Sequence, residues 1–412
     1  MGQMSKRILI VGQHFWPESF RVNDIADYFI EQGCTVDVLC GLPNYPKGEF
    51  FEGYGYFGKR HEIHKNIRID RVLEIKRGSN SNLRIFLNYV SYPFFSLFHI
   101  PKLLFRKYDL IFIYQLSPVM MALSGVLLGK IKRIPISMYV LDLWPENLYS
   151  VIPVKNKFLR TAAEKHSRWY YKKADKLIAL SETMRDKLAS ITDKKNGDIL
   201  VLPQTCEKIY ETRSYDTSLR KRFKDTFNIV FTGNISPAQS FDTMLAAATI
   251  LKEKGYDEIR WVIVGDGMSR KSLQKQVFDL GLSDVFIFEG QHPVEDMPKY
   301  ADIADVLVGC LAKSDLLEAT IPAKVISYIA LGKPIVLAMD GEVQKLINTT
   351  IRGGIAGPTE DYRSLAKNIE AVHELPEAHI KDMGLRLERY YQKNLERNTV
   401  LDQLFRFVSR VQ

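Results

Sequence analysis

A lysine in the stretch PAKVISYIALGKPIVL, residues 322–337, is the first residue whose position indicates chemistry. Pro322 predicts the start of a helix, since proline suits the first helical turn, and Gly332 predicts its end before a strand. The apolar residues between them repeat with helical spacing and predict one buried face. Lys324 therefore lies in the first turn, where the helix dipole favours an anion by about 0.3–1 kcal/mol. Either its side chain extends into water, or an anion bound at the helix N-terminus contacts it.

Further loops with glycines and polar side chains each follow a predicted strand. They read TGNISPAQSF (232–241), VGDGMSRKSL (264–273) and FEGQHP (288–293), and a fourth, EATIPAK (318–324), leads into the helix just described. Each loop alone is weak support, because most strand-to-helix turns carry a glycine for steric reasons. Four in succession indicate a nucleoside diphosphate more than packing alone. The candidate ligand residues in these loops are Gly233, Asn234, Gln239, Asp266, Arg270, Gln291, Pro322 and Lys324.

Short apolar strands alternate with helical segments along the chain, which predicts parallel sheets with helices on both faces. The pattern breaks once in a polar middle stretch, and 412 residues are expected to form two domains. Each half begins with a strand that ends at a glycine, Gly12 or Gly233. Ligands of doubly wound sheets bind at the strands' carboxyl ends, so we expect two Rossmann-like α/β domains facing each other across a cleft. We predict domains over 1–205 and 206–394, with a helix at 395–412 that packs back on the first domain.

Apolar runs bounded by turn residues define the predicted strands. An uncharged stretch, 110–129, is long enough to span a bilayer, but a Ser-Pro pair divides it into a strand and a helix. One long helix is predicted over 85–106. The predicted strands are 7–12, 35–40, 67–75, 109–114, 135–141 and 176–180 in the first half, and 229–233, 260–264, 285–288, 305–309 and 334–338 in the second.

The composition, 46% hydrophobic and 25% charged, is typical of a soluble globular protein. Four widely spaced cysteines form no metal-ligand pattern and are expected to be reduced thiols in the cytosol. The net charge of +9 is concentrated, with eleven Lys/Arg against three Asp/Glu over 54–107 and eleven against four over 130–176. Interleaved aromatic residues favour an anionic membrane surface as partner. No signature of nucleic-acid binding accompanies the charge, and a solvated basic face stays an alternative.

Two functions found in twin α/β domains are disfavoured. A nicotinamide-binding domain needs G-x-G-x-x-G after its first strand and an acidic residue after its second. Here VGQHFW and TGNISPAQ have one glycine each, and the second predicted strand ends at Cys40-Gly41. An exported two-lobed binding protein needs a signal peptide, and the apolar run 8–11 is too short for the core of one.

Several longer segments resemble a known family. VGDG (264–267), FEGQHPVEDMPKYADIADVLV (288–308) and PAKVISYIALGKPIV (322–336) resemble the donor-binding domain of the family 4 retaining glycosyltransferases, which have the two-domain GT-B fold. QHFWPESFRVNDIADYFIEQGCTVDVLCGLPNYPKGEFFEGY (13–54) and VLDLWPE (140–146) resemble a subgroup that builds bacterial O-antigen, capsule and colanic-acid polysaccharides. Within that subgroup the chain is most similar to transferases of N-acetyl-L-fucosamine. The resemblance covers nearly the whole chain.

The resemblance implies that the C-terminal domain binds the diphosphate of a UDP-sugar. The family commonly holds this group with a basic pair, and this chain has Asn234 and Gln239 at those positions. Neutral amides donate hydrogen bonds but supply no charge. More of the diphosphate binding is therefore assigned to Lys324, to Arg270 and to helix N-termini.

Two family glutamates, eight positions apart, are also replaced. The second, which binds the nucleotide ribose, corresponds to Ser327, which can bond a ribose hydroxyl more weakly than a carboxylate can. The first corresponds to Ala319, next to Glu318. Glu318 would lie near the sugar if the loop differs by one residue, and a solvated carboxylate is the alternative.

In the N-terminal domain, Asp142 takes the place where many relatives carry a histidine beside the sugar. An aspartate after a strand is often a helix cap, but its position in DLWPE, at the expected cleft edge, favours a functional role. The loops HFWPES (14–19) and LPNYP (42–46) would lie above the first two strands. We assign catalytic roles to Asp142, Lys324 and Glu318, donor binding also to Gly12, Glu18 and Ser327, and acceptor binding to His14, Asn44, Tyr45 and Glu146.

The sequence thus predicts a cytoplasmic hexosyltransferase associated peripherally with the inner face of the plasma membrane. It would transfer an N-acetylated (6-deoxy)amino sugar, L-FucNAc by the resemblance, from a UDP-sugar to an undecaprenyl-diphosphate-linked saccharide in lipopolysaccharide or capsule synthesis. The family implies retention at the anomeric carbon. No metal or other cofactor is expected, because no carboxylate pair of metal-binding type is present. A UDP-sugar epimerase of the same fold and a non-catalytic nucleotide-sugar-binding scaffold are the alternatives.

Overall fold

The computed structural model describes residues 6–78, 82–151, 156–314 and 318–410. The chain divides into two compact units, each built around its own sheet.

The division of the chain lies close to the predicted one. The first unit contains the chain up to Pro203 and its last residues from Leu401, and the second contains Gln204–Val400. The boundary thus falls two residues before the predicted 205/206. The segment from 395 was assigned to the first unit, but its first six residues belong to the second.

The first unit has a doubly wound sheet of eight strands. All neighbouring pairs are parallel except the antiparallel pair of the third and fourth strands. The strands are β1 (Arg7–Val11), β2 (Thr35–Cys40), β3 (His61–His64), β4 (Ile67–Arg71), β5 (Leu110–Gln115), β6 (Ile136–Val140), β7 (Lys176–Ala179) and β8 (Ile199–Val201). Their order is β3-β4-β2-β1-β5-β6-β7-β8. Because β2 and β5 flank β1, the winding reverses there, and the loops after these strands meet at one edge.

The helices of the first unit cover both faces of this sheet. The central strands are buried along their whole length, as parallel strands between helical layers are. The helices are α1 (Val22–Glu31), α2 (Asn82–Ser96), α3 (Ile100–Leu104), α4 (Leu123–Lys132), α5 (Glu146–Val151), α6 (Lys157–Lys173) and α7 (Glu182–Thr192).

The second unit repeats the plan with six parallel strands. The strands are β9 (Phe227–Thr232), β10 (Ile259–Val264), β11 (Phe286–Gly290), β12 (Val306–Cys310), β13 (Ile335–Ala338) and β14 (Gly354–Gly357), in the order β11-β10-β9-β12-β13-β14. Here the winding reverses at β9. The helices are α8 (Thr217–Arg222), α9 (Phe241–Glu253), α10 (Arg270–Asp279), α11 (Met297–Asp302), α12 (Ala323–Leu331), α13 (Glu342–Lys345), α14 (Tyr362–His373) and α15 (Glu377–Asn394).

The last helix, α16 (Arg397–Ser409), contacts the first unit. The ring of Phe405 lies 5.8 Å from that of Phe29. Lys176 Nζ donates to the carbonyl oxygen of Phe407 at 2.7 Å. Aromatic packing and a capped carbonyl therefore hold this helix against α1 and the start of β7.

The long helix predicted over 85–106 is wrong as a single element. The structure has α2, a 3-10 turn at Leu97–His99 and then α3. Pro101 has no N–H to continue the helical ladder, so the helix is interrupted just before it.

Helix α2 buries polar as well as aromatic side chains and exposes a row of apolar ones. Asn88, Ser91 and Tyr92 are buried. The Tyr92 hydroxyl donates to the carbonyl oxygens of Gly12 and Leu39, both at 3.2 Å. Hydrogen bonds therefore hold this helix together with apolar contacts, since Tyr92 belongs to the hydrophobic core of the unit and Phe95 packs against that core. Its outward face is defined by the exposed side chains of Leu83, Phe86, Leu87, Val90 and Phe94.

Candidate active site

In the second unit, the loops after β9 and β10 lie against each other at the carboxyl edge of the sheet. The Ile235 N–H donates to the Asp266 carbonyl oxygen at 2.9 Å. Gly265 has φ +147°, and a Cβ there would lie 1.9 Å from the carbonyl oxygen of Gly233. A Cβ on Gly267 would lie 2.2 Å from the carbonyl oxygen of Ile235. Only glycine permits this approach of the two loops.

Lys324 lies in the first turn of α12, beside the loop after β9. Its ammonium group is 3.6 Å from the ring centroid of Phe231 and donates to Oε1 of Gln239 at 2.5 Å. A Cβ on Gly233 would lie 3.4 Å from this nitrogen, so glycine leaves room for it. Within the described ranges, no carboxylate contributes to the electrostatic environment of this ammonium.

The protonation of Lys324 reflects this environment. Burial lowers the pKa of Lys324 from its ordinary value to about 7, and the thiol of Cys310 acts in the opposite direction. A cation–π contact contributes about 0.5–2 kcal/mol, which does not offset the loss of hydration. An anionic ligand would supply the missing opposite charge and raise the pKa again. The side chain thus points to the anion-bound alternative of the two that the sequence left open.

Other predicted donor residues lie on the neighbouring loops. Asn234 and Gln291 are exposed. Arg270 pairs with Asp266 at 3.4 Å, and a Cβ on Gly290 would lie 3.6 Å from its guanidinium. A partly exposed ion pair of this kind contributes under about 1 kcal/mol, so Arg270 can exchange Asp266 for a phosphate.

The predicted ribose contact of Ser327 stays a prediction. The residue is buried, and its hydroxyl donates to the Ala323 carbonyl oxygen at 3.3 Å. Pro322 is at the cap position of α12, as expected for a residue preceding the helix. Glu318 is half-buried, and its place near a sugar stays a prediction.

In the first unit, Glu18 holds two loops together. One carboxylate oxygen is 3.0 Å from His14 Nδ1, and the other accepts the N–H groups of Asn44 and Tyr45 at 2.9 and 2.7 Å. Glu18 is only 2% exposed. The assignment of Glu18 to donor binding is therefore corrected: both oxygens are occupied, and the residue positions its neighbours.

A second buried acid, Glu74, lies beside it. Its oxygens accept from Asn44 Nδ2 at 2.6 Å and from Gln13 Nε2 at 3.0 Å. Burial raises the pKa of Glu74 well above its ordinary value; the nearby charge of Glu18 acts in the same direction, while the hydrogen bonds from Gln13 and Asn44 lower it. Asn44 is fully buried, and its Oδ1 accepts the Arg77 N–H at 3.3 Å. The assignment of Asn44 to acceptor binding is corrected for the same reason as that of Glu18.

Gly12 is likewise engaged through its main chain. Its N–H donates to the Leu39 carbonyl oxygen at 3.1 Å, and its own carbonyl accepts the Tyr92 hydroxyl at 3.2 Å. Neither group is left for the donor contact that the sequence predicted, so Gly12 is a structural residue at the end of β1.

Two predicted acceptor residues present rings at this edge. His14 stacks on Phe20, with ring centroids 4.6 Å apart, and lies 5.5 Å from the ring of Tyr45. Because Nδ1 of His14 faces Glu18, Nε2 is the ring nitrogen left for another partner. Tyr45 is 41% exposed and is the more accessible of the two.

Asp142 and Glu146 follow β6 at the same edge. One Asp142 carboxylate oxygen accepts the N–H of Ser117 at 2.8 Å, which joins the loops after β5 and β6. The other oxygen makes no hydrogen bond within the described ranges, and the residue is partly exposed. One oxygen of Glu146 is buried and has no hydrogen-bond partner in the part of the chain that the structure describes. Both carboxylates therefore keep an oxygen for a ligand.

Sequence reasoning missed several residues of these sites. Glu74 falls within the predicted strand 67–75, which ends at Arg71, so it was treated as part of a strand. The sequence signal that could have identified Glu74 as a site residue is its position as the single glutamate in the apolar run VLEI. Phe231 lies within the predicted strand 229–233, and only its contact with Lys324 shows that it also belongs to the site.

Comparisons with known proteins agree with this arrangement. Residues 20–204 match the family described as Glycosyltransferase Family 4, and residues 218–386 match Glycosyl transferases group 1. The chain is 26% identical over 157 residues to the amylovoran biosynthesis glycosyltransferase AmsK of Erwinia amylovora, covering 38% of each chain. It is 26% identical over 213 residues to the 2-deoxystreptamine glucosyltransferase of Streptomyces kanamyceticus, covering 47% of this chain and 54% of that one. The alignments thus span about half or less of these relatives.

Solved structures extend the likeness to the whole chain. HepE of Anabaena, in complex with UDP, has 14% identity and a TM-score of 0.71, covering 98% of this chain and all of that one. HepE has also been solved with UDP-glucose, with a TM-score of 0.68.

The chain has the two-domain GT-B fold of these structures, and each of its two units matches one glycosyltransferase domain family. More narrowly, its first unit carries the family 4 domain and its second unit the group 1 domain.

Within the described ranges, no group of three or more His, Cys, Asp or Glu side chains is arranged to hold a metal ion.

The lowered pKa of Lys324 predicts how stability depends on pH. The unfolded lysine titrates near about 10.4 and the folded one at about 7, so between these values the unfolded state binds more protons. The free energy of unfolding therefore rises with pH over this range, by up to about 1.4 kcal/mol per pH unit. In Lys324→Met this contribution is absent. Urea unfolding from pH 7 to 9 should show that the free energy of unfolding of the wild type rises relative to that of the variant as the pH increases.

Lys254→Met is the matched control, because the carboxylate of Glu370 raises the pKa of Lys254 instead of lowering it. Parallel pH profiles for the wild type and Lys324→Met would contradict the assigned protonation.

Proposed function

We propose that this protein is a retaining hexosyltransferase that uses a UDP-sugar donor. The observation that carries the proposal is the ammonium of Lys324, held at the N-terminus of α12 without an opposite charge. A nucleoside diphosphate supplies the charge that this site lacks. The structural neighbour HepE is bound to UDP and to UDP-glucose, which supports the choice of donor.

The proposed sugar is an N-acetylated (6-deoxy)amino hexose, L-FucNAc by the resemblance, and the acceptor is a saccharide on undecaprenyl diphosphate. Its pathway would be the synthesis of O-antigen or capsule polysaccharide. The likeness to AmsK, named for amylovoran biosynthesis, supports a role in polysaccharide assembly.

In the proposed reaction the bond between the anomeric carbon and the diphosphate oxygen breaks, and a hydroxyl oxygen of the acceptor forms the new bond on the same face. The hydroxyl proton passes to the departing phosphate. Lys324, Gln239 through its hydrogen bond, and the N–H groups of the first turn of α12 stabilise the charge that develops on the diphosphate, where preorganised groups contribute most. Asp142, with one carboxylate oxygen left, is proposed to contact the sugar. No divalent cation takes part.

We also propose that the protein works at the inner membrane surface. No helix in the described ranges is long and apolar enough to cross a bilayer. The outward face of α2 is continued by Phe98 and Phe105, which are 69% and 92% exposed. The basic excess of this region would face anionic lipid headgroups while these apolar side chains enter the interface.

Transfer is tested by incubating candidate UDP-sugars with a polyprenyl-diphosphate-linked saccharide and measuring released UDP and elongated lipid. We expect release only when both substrates are present, and unchanged turnover in excess chelator. In Lys324→Gln the rate constant kcat should fall by about 10²–10³-fold, the effect of removing one donor to a developing oxyanion. Lys254→Gln, an exposed lysine of the same unit, is the control.

The outcomes separate the alternatives. Interconversion of two UDP-sugars without acceptor would establish the epimerase, and tight UDP-sugar binding with no turnover on any acceptor would establish the scaffold. Loss of turnover in chelator that magnesium restores would overturn the metal-independent reaction.

Membrane association is tested by co-sedimentation with vesicles that contain anionic phospholipid. Phe94→Ser with Phe98→Ser removes two apolar contacts, each worth about 1.5–3 kcal/mol when fully buried, so vesicle binding should fall at least tenfold. Binding of the wild type should also weaken as salt is added. Phe278→Ser is the control, since Phe278 is 76% exposed but lies in the second unit. Equal losses for both variants would contradict a role for α2.

A further inference from the structure

Arg77 is held in an unusual way at the carboxyl edge of the first unit. Its guanidinium carbon lies 5.6 Å from the ring centroid of Tyr45 and 5.6 Å from that of Tyr89. Its main-chain N–H donates to Asn44 Oδ1 at 3.3 Å, which ties it to the network around Glu74. Two aromatic rings thus flank the guanidinium, and its side-chain N–H donors make no hydrogen bond within the part of the chain that the structure describes.

Over the described ranges, the positive charge of Arg77 is not neutralised by an ion pair with a nearby carboxylate. Lys76, the preceding residue, pairs with Glu49. Glu74 is the nearby acid whose pKa Arg77 lowers, but its oxygens are taken by Gln13 and Asn44. In the part of the chain that the structure describes, Arg77 forms no ion pair within 4 Å. Within the described residues, the guanidinium of Arg77 therefore has no carboxylate as an ion-pair partner.

A second guanidinium lies close by. A Cβ added to Gly78, which follows Arg77, would lie 2.9 Å from Nη1 of Arg84. Gly78 also donates its N–H to the Gly48 carbonyl oxygen at 2.9 Å. The segment after Glu74, which carries Arg77, is thereby fixed against the loop after β2, and the Arg84 side chain reaches it from α2.

Arg77 also joins two different surfaces. Tyr45 belongs to the loop after β2, which hydrogen-bonds to Glu18 in the loop after β1, at the strand ends. Tyr89 belongs to α2, whose outward face is apolar and exposed. A ligand with a charged group at Arg77 could therefore extend in one direction along polar loops and in the other along an apolar helix.

We propose that Arg77, clamped by Tyr45 and Tyr89, binds the diphosphate of the polyprenyl-linked acceptor. The prenyl chain lies along the outward face of α2, and the acceptor sugar is directed to the loop of Tyr45. A planar guanidinium suits phosphate oxygens because it donates two parallel hydrogen bonds. This inference rests on the lipid-linked acceptor of the proposed function and names the residue that recognises it.

The test uses geranyl diphosphate as a short, soluble probe, titrated calorimetrically into the full-length protein saturated with UDP, so that the donor site is filled. Inorganic pyrophosphate and geraniol are titrated in parallel. The wild type should bind geranyl diphosphate more tightly than pyrophosphate, and geraniol weakest. Arg77→Gln should weaken the binding of geranyl diphosphate and of pyrophosphate about tenfold or more, as expected for a lost charge-assisted contact.

Variants and controls separate recognition from folding. Arg77→Lys keeps the positive charge but loses the two parallel N–H donors of the guanidinium. Its affinity for geranyl diphosphate should therefore lie between those of Arg77→Gln and the wild type. Arg168→Gln removes an exposed arginine of the same unit and should change nothing. Each variant should unfold at the same temperature as the wild type. Its Kd for UDP should lie within twofold of the wild-type value, because Arg77 belongs to the first unit only.

Four results would overturn the inference. One is unchanged binding of geranyl diphosphate in Arg77→Gln. Another is equal affinity for pyrophosphate and geranyl diphosphate in the wild type, which would identify a free phosphate compound as the ligand. The third is a loss of UDP affinity in Arg77→Gln, which would assign the residue to the donor. Wild-type protein that binds UDP but not geranyl diphosphate would contradict this inference and leave the proposed donor intact. Wild-type protein that does not bind UDP would contradict the proposed donor instead.

Discussion

The positive charge of Lys324 is the constraint on which the chemistry of the second unit depends. A lysine normally keeps its charge by staying hydrated or by pairing with an acid. Here the ammonium group lies against the face of Phe231 and bonds a neutral amide, Gln239. The dipole of α12 adds a positive end at the same place. The cation–π contact and the hydrogen bond offset only part of the lost hydration, and the helix dipole opposes the charge. A bound diphosphate would supply the missing opposite charge. The glycines at 233, 265 and 267 also favour a bound diphosphate. They let two loops with main-chain N–H groups approach each other without side chains that would fill the space.

The first unit solves a different problem, which is to hold polar loops still. Two buried acids do this: Glu18 receives two main-chain N–H groups, and Glu74 receives two side-chain amides. Hydrogen bonds to a carboxylate are stronger than those between neutral groups, so the loop geometry is set before a substrate arrives. What the network leaves exposed is the ring of Tyr45, whereas His14 is buried beside it. Both acids are buried, and they position the loop residues that face solvent.

The architecture could be predicted from the sequence because long apolar runs report parallel strands directly. Each of the eleven predicted strands is present, whereas β3, β8 and β14 escaped because they are short and lack a continuous apolar pattern. The site was harder. Lys324 was identifiable because it contradicts the helix dipole, a local rule. Glu18 was misassigned because its partners lie in a different loop, 26 and 27 residues away along the chain. Spacing along the chain shows which residues share an edge, but not which of them are already satisfied by one another.

Helix α2 connects the two kinds of surface in the first unit. Its inner face carries polar groups that bond the strand-end loops: Gln13 donates to Asn88, and Tyr92 donates to Gly12. The same face contributes Tyr92 to the hydrophobic core, so hydrogen bonds and apolar contacts together anchor the helix. Its exposed apolar residues form the outward face, which gains most from an apolar environment. The same helix thus positions the reactive loops and presents a surface suited to lipid, so a lipid-borne substrate and its membrane would meet the protein at one element.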